Sequence, residues 1–588
     1  MKNIQLLIAL FLFLSTSSFG QSKITEKEYK AHLSFLASDS LKGRMPATAE
    51  SEVAAEYIRN EFKKAGLQMI EEDGFQSFDI IVGIEPGAGN YFKAGTEAAK
   101  LHEDYIPLAI SANAELAASV SFAGYGLPAD SASGRKSSYE GLDVFGKWVM
   151  ILQGDPEGNR RIMPGSPASI NSKVRLAKKL DAAGLILVAD SKTSPEDKLT
   201  PLSYRRGSQQ GNIPVIHIKR EPANRILQMA GEYPIDEQAK KIRENNQPVS
   251  FDTKVSVSAK TELVYISKKA RNVVGMLKGS DSELSDEYII VGAHYDHLGT
   301  GKHGSRDPQP NVIHYGADDN ASGTAALIET AEYFGTRKSR SKRSMIFIAF
   351  DAEEMGLLGS AYYADNAKTD ISKTYAMINF DMVGRLSAEK PEMTVSGTGT
   401  AEEFNEILEK YKEKTDIAQA LNPGGQGASD HSSFYRKDIP VLFFSTGGHD
   451  DYHTSRDTHD KINYTGMRTF TEYTAELIDY LANRKAPLTF KETGSKHQPQ
   501  RMTLKVTLGV MPGFAATDVV GLRIDGISEG GPAEAAGLQR GDVIKKLGEY
   551  SIKDIYEYME VLQKFEAGQE IELEYERDET LKKVTVKL

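Results

Sequence analysis

Four short apolar runs in the second half of the chain are the feature that most constrains its fold. Each is followed, at once or after a short turn, by histidine, aspartate or glutamate. The runs and the residues after them are 288–293 with His294, 345–350 with Glu353 and Glu354, 375–380 with Asp381, and 439–445 with His453. Short, nearly continuous apolar runs are typical of strands buried on both faces, as in the sheet of an α/β protein.

Helical patterns separate these runs and complete an α/β alternation. We predict that Asn320 or Ser322 caps a helix that continues through 324–330, and that a second helix opens at 356–361. In open α/β sheets the ligand crevice lies outside the carboxyl ends of the strands. The histidines and acids that follow the runs are therefore expected to converge there, although they are far apart in the sequence.

Composition excludes several classes of function. The chain has 588 residues, more than one ordinary core accommodates, which predicts three or four domains. Its formal net charge of -11, without a long basic run, argues against nucleic acid or an anionic membrane surface as a partner. It contains no cysteine, which excludes disulfides, thiolate metal sites and a catalytic cysteine.

The first 20 residues predict a signal peptide. Lys2 supplies a positive start, and 6–14 form an apolar run too short to span a bilayer. Small residues at 18–20 surround a cleavage point that would leave Gln21 as the new terminus. No later run is long enough for a transmembrane helix. We therefore expect an exported protein, periplasmic or secreted, without a lipobox cysteine.

Five residues from the strand ends can together bind metal ions. They are His294, Asp318, Glu354, Asp381 and His453. Neutral imidazoles and carboxylates without thiolates suit Zn²⁺, with Mn²⁺ or Co²⁺ as alternatives. One carboxylate can bridge two ions, and three carboxylates with one hydroxide balance two divalent cations, which leaves a partly buried crevice neutral. We therefore predict two metal ions per chain.

Two acids beside these candidates have predicted roles in catalysis. Glu353 precedes Glu354 at a strand end, where it can take a proton from a water shared by two metals and pass it to a leaving group. Asp296 is two residues after His294, and on an extended segment both side chains point the same way. Asp296 can therefore accept the second N–H of that imidazole and fix its tautomer.

Five motifs in one order resemble the signature set of the M28 metallopeptidases, which are di-zinc aminopeptidases and their relatives. The motifs are HYD at 294–296, GADDNASG at 316–323, EEMGLLGS at 353–360, NFDM at 379–382 and HT at 453–454. The resemblance covers roughly 260–485 and the helical start at 24–67. It implies a mixed central sheet of about eight strands flanked by helices, the zinc-exopeptidase (phosphorylase/hydrolase-like) fold.

The resemblance also implies a role for each candidate residue. It implies that one zinc is bound by His294 and Asp381, the other by Glu354 and His453, and both by a bridging Asp318. Glu353 would be the general base and acid. The implied enzyme is a metallo-aminopeptidase, in which a metal-bridging hydroxide attacks the first peptide bond of a peptide with a free N-terminus.

Two further segments resemble known domains. A β-rich stretch at 112–255 resembles a protease-associated (PA) domain, and the motif GGPAEAAGLQRGDVI resembles a PDZ domain. The predicted organisation is a signal peptide at 1–20, the first part of the peptidase domain at 21–111, the PA insert at 112–255, the main part of the peptidase domain at 256–485, a linker at 486–500 and the PDZ domain at 501–588. The PDZ domain is expected to bind a peptide or a protein C-terminus.

Several residues near the motifs are predicted to stay outside the metal site. Asp319 is expected to cap a turn, and Asp430 and His431 are expected to support the ligands or to be structural. The other histidines expected on the surface or in loops are His297, His303, His314, His449 and His459.

Two questions about the site stay open in the sequence. The residue that assists the oxyanion is either Gln426, shortly before the Ser-Asp-His segment at 429–431, or Tyr452. Asp457, four residues after His453, either supports that histidine or ends a turn.

Three hypotheses of function follow. The first is an exported zinc aminopeptidase. The second keeps the fold and changes the substrate: a carboxypeptidase, in which Arg385 would hold a C-terminal carboxylate, or a glutaminyl cyclase relative with one zinc. The third is a non-catalytic binding protein that acts through its PA and PDZ domains.

Overall fold

A computed structural model of the chain describes residues 24–493 and 506–588. Within these ranges it leaves out 132, 159–165, 205–210, 302, 303, 308, 310, 513–520, 528, 529, 554, 567 and 579. The predicted signal peptide at 1–20, the end of the predicted linker and His303 therefore lie outside the described residues.

The described residues form twelve α-helices. They are α1 Glu26–Leu36, α2 Ala49–Lys64, α3 Ile170–Lys179, α4 Arg220–Met229, α5 Ile235–Asn245, α6 Gly323–Gly335, α7 Leu358–Asn366, α8 Phe404–Tyr411, α9 His431–Tyr435, α10 Tyr464–Asn483, α11 Pro532–Ala535 and α12 Ile555–Leu562.

The same residues form twenty-three strands. They are β1 Gln68–Met69, β2 Phe75–Pro86, β3 Tyr91–Ala94, β4 Glu97–Ala99, β5 Tyr105–Pro107, β6 Ala114–Ala123, β7 Trp148–Leu152, β8 Gly184–Val188, β9 Val215–Ile218, β10 Ser250–Thr261, β11 Leu263–Leu277, β12 Tyr288–His294, β13 Ser344–Phe350, β14 Thr374–Phe380, β15 Glu392–Ser396, β16 Ala418–Asn422, β17 Val441–Ser445, β18 Val510–Pro512, β19 Leu522–Ile527, β20 Val543–Leu547, β21 Tyr550–Ser551, β22 Glu570–Arg577 and β23 Thr580–Lys587.

The four predicted apolar runs are neighbouring strands of one mixed sheet. Among the described strands its order is β1, β11, β13, β12, β14, β17, β15, β16, with β2 paired to β11. The strands β13, β12, β14 and β17 run parallel, whereas β11 is antiparallel to β1 and β13. β15 is antiparallel to β17 and parallel to β16. The residues of β13 and β14 are all buried. The predicted α/β fold with a mixed central sheet is therefore confirmed.

Helices cover both faces of this sheet, and the alternation of side chains along each strand assigns them. Ile289 and Val291 of β12 pack into the core that includes side chains of α1, α2, α6 and α10. Ile290, between them, belongs to the opposite core, with Tyr363 of α7 and Phe434 of α9. Successive residues of a strand point to opposite faces, so an apolar run without alternation requires cover on both.

The described residues of a second part of the chain, within 77–270, 447–450 and 497–588, form a second compact unit. One sheet in it has the order β4, β3, β10, β6, β7, β8, β9, β5, and its strands β7, β8 and β9 are parallel and buried. Another sheet has the order β18, β19, β20, β22, β23, with β21 paired to β20. Each sheet has its own apolar core among the described residues.

A buried arginine holds three chain segments together beneath the ends of the central strands. The Arg44 guanidinium donates to the carbonyl oxygens of Leu36, Tyr295, Tyr315 and Gly316 at 2.5 to 3.0 Å. Burial lowers the pKa of Arg44 to about 10, which still leaves it charged at neutral pH. The guanidinium thereby ties the end of α1 to the loops after β12 and before α6.

Replacing this arginine is expected to destabilise the peptidase part of the chain. Arg44→Met would leave buried carbonyl oxygens without donors, at about 1–3 kcal/mol for each group left unpaired. The matched control is Lys42→Met in the same turn, where the exposed lysine pairs with Glu50 on the surface. Denaturant midpoints of the two variants would measure the difference, and similar midpoints would contradict the assigned role of Arg44.

Candidate metal centre

The candidate site lies at the carboxyl ends of three parallel strands. His294 is the last residue of β12, Asp381 directly follows β14, and Glu353 and Glu354 lie three and four residues after β13. These strands have their carboxyl ends at the same edge of the sheet, which is where ligand crevices form in α/β folds. The predicted convergence of distant sequence positions therefore has a simple structural basis.

The carboxylate of Asp319 lies between His294 and His453, the two histidines that were predicted to bind different metal ions. Its Oδ1 is 3.4 Å from Nε2 of His294, and its Oδ2 is 3.1 Å from Nε2 of His453. Asp381 Oδ1 is also 3.4 Å from His294 Nε2. Glu354 Oε2 is 3.3 Å from His453 Nε2. Asp319 is thus common to two groups of closely spaced ligand atoms.

The structure places Asp319, rather than the predicted bridging residue Asp318, between the two histidines. The Oδ1 of Asp318 instead accepts a hydrogen bond from the backbone N–H of Gly384 at 2.6 Å. The backbone at Asp319 is extended (φ -103°, ψ 93°) inside an irregular turn. The two adjacent aspartates therefore have different partners: Asp319 faces the histidines, and Asp318 faces Gly384.

A third histidine, His297, belongs to the site and was predicted to lie on the surface or in a loop. It is fully buried, and its Nδ1 is 2.8 Å from Glu354 Oε1 and 3.7 Å from Asp319 Oδ2. Strand alternation does not determine the direction of the His297 side chain, because β12 ends at His294.

Asp296 holds the loop that carries the two glutamates. Its Oδ1 and Oδ2 accept hydrogen bonds from the backbone N–H groups of Glu353 and Glu354, at 3.0 and 3.2 Å. Its Oδ1 is 3.6 Å from Nδ1 of His294, beyond hydrogen-bond distance, and that nitrogen lies 3.3 Å from the backbone oxygen of Asp296. The predicted contact with the imidazole is therefore made by the backbone of Asp296, and its carboxylate positions the glutamates.

Glu353 is buried beside the two groups of ligand atoms. Its Oε2 lies 3.9 Å from Nε2 of His294. Burial raises the pKa of Glu353 well above its ordinary value; His294 opposes the shift, and the carboxylates of Asp430 and Glu354 add to it. A carboxyl group that readily holds a proton at this position is suited to proton transfer. A nearby cation would lower that pKa again, because positive charge favours the carboxylate.

The charges and unpaired atoms of the site fit divalent cations. The described ion pairs of Asp319, Glu353, Glu354 and Asp381 are all with histidines. Several buried atoms that face one another have no hydrogen-bond partner among the described residues: Nδ1 and Nε2 of His297, Oδ2 of Asp319, Oε1 of Glu354 and Nε2 of His453. Buried polar atoms are rarely left unpaired. Nitrogen and oxygen donors without sulfur are the set that Zn²⁺, Mn²⁺ and Co²⁺ accept.

Two residues that support the ligands come from distant loops. Ser429 donates its hydroxyl to Asp381 Oδ2 at 2.7 Å and accepts from the side-chain amide of Asn379 at 2.8 Å. Asp457 Oδ2 accepts from the backbone N–H groups of Asp318 and Asp319, at 2.9 and 3.0 Å. Asp457 therefore holds the turn that presents Asp319, which is a role that was not among the two considered from the sequence.

Two other side chains bear on the hypotheses that the sequence left open. Arg385 Nη2 lies 3.1 Å from Asp457 Oδ1 and 3.3 Å from Asp451 Oδ2. Arg385, the side chain predicted to hold a substrate carboxylate in a carboxypeptidase, is therefore already paired with two acids.

The ring of Tyr452 stacks on His453, with ring centroids 3.8 Å apart. Burial and the carboxylates of the site raise the pKa of Tyr452 well above its ordinary value, so its hydroxyl keeps its proton and can donate.

Three segments match the models of known families and domains. Residues 272–478 match peptidase family M28, residues 112–226 match the PA domain and residues 495–588 match the PDZ domain. The three resemblances predicted from the sequence are therefore confirmed. None of the helices in the described ranges has the length and apolar character needed to cross a membrane.

Curated relatives and solved structures include zinc peptidases. Aminopeptidase YwaD of Bacillus subtilis (strain 168) is 25% identical over 327 residues, 54% of this chain and 62% of the relative. A probable zinc metalloprotease of Pyrenophora teres f. teres is 35% identical over 151 residues, 25% of this chain and 30% of the relative. The chain thus spans less than two thirds of either. An aminopeptidase structure from Aneurinibacillus sp. strain AM-1 is 21% identical, covering 80% of this chain and 97% of that one, with a TM-score of 0.45.

Proposed function

We propose that this chain, which contains a domain of peptidase family M28, is an exported zinc-dependent aminopeptidase that removes N-terminal residues from peptides. The observation that carries the proposal is the position of Asp319 between His294 and His453, within 3.1 to 3.4 Å of both. A carboxylate with one oxygen toward each of two groups of ligand atoms is suited to bridge two cations.

The proposed metal ligands follow from the two groups of atoms. One ion would be held by His294 and Asp381, a second by Glu354 and His453, and both by Asp319. The grouping of His294, Asp319 and Asp381 supports the first ion. The second is supported by the contacts of His453 with Asp319 and Glu354, and by the unpaired buried atoms described above. Zn²⁺ suits it, and Mn²⁺ or Co²⁺ are alternatives. Bound at these positions, two divalent cations make water a nucleophile at neutral pH and stabilise negative charge on the scissile carbonyl oxygen.

The chain's own residues would move the protons and orient the substrate. Glu353 would take a proton from the attacking water and return it to the leaving amine. Asp296 would fix Glu353 by accepting its backbone N–H, and the buried carboxylates would attract the free ammonium group of the substrate. We propose that Tyr452, rather than Gln426, assists the oxyanion. Its ring stacks on His453, and its hydroxyl would donate to the developing negative charge.

Blocked peptides distinguish this function from its alternatives. The enzyme is expected to cleave aminoacyl anilides and free peptides but to lose at least about a thousandfold in kcat/KM when the amine is acetylated, because buried acids would then lack their charged partner. Amidating the C-terminus is expected to leave the rate nearly unchanged, since Arg385 is engaged by Asp451 and Asp457. The reverse pattern would indicate a carboxypeptidase, and no hydrolysis by a metal-loaded chain would indicate a binding protein.

Export and partner binding complete the proposal. Export rests on the positive start and short apolar run of the first 20 residues. The proposed partner of the PDZ domain is a peptide or protein C-terminus, taken up as an added strand.

A further inference from the structure

We infer that His297 is a fourth protein ligand of the cation at Glu354 and His453, so that the two metal positions differ in the number of protein ligands. This inference rests on the proposed function, because it concerns one of the two cations proposed there. The histidine is fully buried, and neither of its ring nitrogens has a hydrogen-bond partner among the described residues.

The spacing of the atoms around His297 is that of ligands on one ion. In a tetrahedral shell with ligands at about 2.0–2.1 Å, neighbouring ligand atoms are roughly 3.3 Å apart. Nδ1 of His297 lies 2.8 Å from Glu354 Oε1 and 3.7 Å from Asp319 Oδ2. Nε2 of His453 lies 3.3 Å from Glu354 Oε2 and 3.1 Å from Asp319 Oδ2. The two imidazoles therefore approach the same two carboxylates.

The close contact between His297 and Glu354 is not a directed hydrogen bond. Although Nδ1 and Oε1 are 2.8 Å apart, both atoms remain without a hydrogen-bond partner among the described residues. Two buried, unpaired lone-pair donors at such a distance repel each other unless a positive charge, either a cation or a shared proton, lies between or beside them. A bound cation would supply this positive charge and leave the imidazole of His297 neutral.

The surrounding chain holds the His297 ring in this position. Gly316, in a left-handed conformation (φ +55°), packs against the ring, where an added Cβ would lie 2.5 Å from Cγ and Cδ2. The backbone N–H of His297 donates to the carbonyl oxygen of Arg44 at 3.3 Å. The His453 ring meets the His297 ring edge to face, with centroids 5.8 Å apart.

With His297 as a ligand, the two metal positions would have different numbers of protein ligands. The site of His294, Asp319 and Asp381 has three protein residues, which leaves a position for water or substrate, as catalytic zinc sites have. The site that includes His297 would be filled by four. We therefore infer that the ion at the second site is held more tightly and that the first site keeps the open position.

Metal affinity and spectroscopy test this assignment without measuring activity. Chelator titration of the wild-type chain is expected to remove one ion well before the other. His297→Asn, which keeps a polar side chain beside Glu354, is expected to weaken binding of the tighter ion by clearly more than about a hundredfold, because loss of a merely supporting contact costs about 10–100-fold. The Co²⁺-substituted variant is expected to show an altered visible spectrum, whereas His459→Asn is expected to match the wild-type chain.

The outcomes separate this inference from the proposed function. If His297→Asn keeps both ions at wild-type affinity with an unchanged Co²⁺ spectrum, His297 only supports Glu354, and the inference is overturned while the proposed function stands. If the wild-type chain binds no divalent cation, both are overturned. His297→Asp, which offers a ligand oxygen in place of the nitrogen, is expected to recover part of the lost affinity; no recovery in a folded variant counts against direct ligation.

Discussion

Replacing Glu353 by glutamine is expected to lower kcat by about a thousandfold or more while the chain keeps its metal ions. A positioned general base contributes roughly 10² to 10⁴ in rate, and each factor of ten corresponds to about 1.4 kcal/mol of barrier. Glutamine has nearly the same size and can retain the local contacts, but it cannot carry the proton. The backbone hydrogen bond from Glu353 to Asp296 is unaffected by the change.

The matched control for this variant is a buried glutamate away from the site. Glu329 on α6 is buried and contacts His32 at 3.1 Å, and burial raises its pKa as it does for Glu353. Glu329→Gln is expected to keep nearly full activity, because an amide oxygen can accept the same hydrogen bond. Steady-state kinetics and elemental analysis of both variants would measure the difference. A Glu353→Gln enzyme with metal bound and activity within tenfold of wild type would remove this residue from its role.

Asn substitution at the two adjacent aspartates is expected to have opposite outcomes. Asp319→Asn replaces one of the two anionic oxygens at the shared position with an amide N–H₂, which repels a cation, and removes a negative charge that both ions need. We expect metal content to fall below two ions per chain and activity to fall by at least about a thousandfold. Metal analysis after dialysis and kinetics at fixed metal concentration would measure both.

Asp318→Asn is the internal control for that experiment. Its amide oxygen can still accept the hydrogen bond from the backbone N–H of Gly384, now 2.6 Å from the carboxylate. Activity and metal content are expected to stay close to those of the wild-type chain. If instead Asp318→Asn loses metal and Asp319→Asn does not, the bridging role returns to Asp318 and the assignment made from the structure is incorrect.

The sheet and the meeting of its strand ends could be predicted from the sequence because both follow from local patterns. Continuous apolar runs indicated β12, β13, β14 and β17, and their polar ends indicated the crevice. His294, Glu354 and Asp381 lie where a strand ends, so the parallel sheet alone brings them together. The apolar run that predicts a strand also shows where the strand ends, because polar residues follow it in the sequence.

The choice between Asp318 and Asp319 could not be made by such signals. The two residues are identical in type and adjacent, and the irregular turn between Gly316 and Gly323 determines which one faces the histidines. That turn depends on distant groups, including the carboxylate of Asp457, which accepts the backbone N–H of both aspartates. A sequence pattern carries no information about this contact.

His297 and Ser429 were missed for a related reason. His297 was expected on the surface or in a loop, whereas its ring is buried beside Glu354, in the segment that follows β12. Ser429 reaches Asp381 from a loop 48 residues away, and nothing local marks it. Both residues become visible only when the loops after several strands are placed around one crevice.

The central claim is that two divalent cations share the carboxylate of Asp319. Anomalous diffraction from crystals of the wild-type chain, recorded above and below the zinc absorption edge, measures this directly. We expect two peaks, one beside His294 and Asp381 and the other beside Glu354 and His453, with the carboxylate of Asp319 between them. A single peak, or two peaks that flank Asp318, would contradict it.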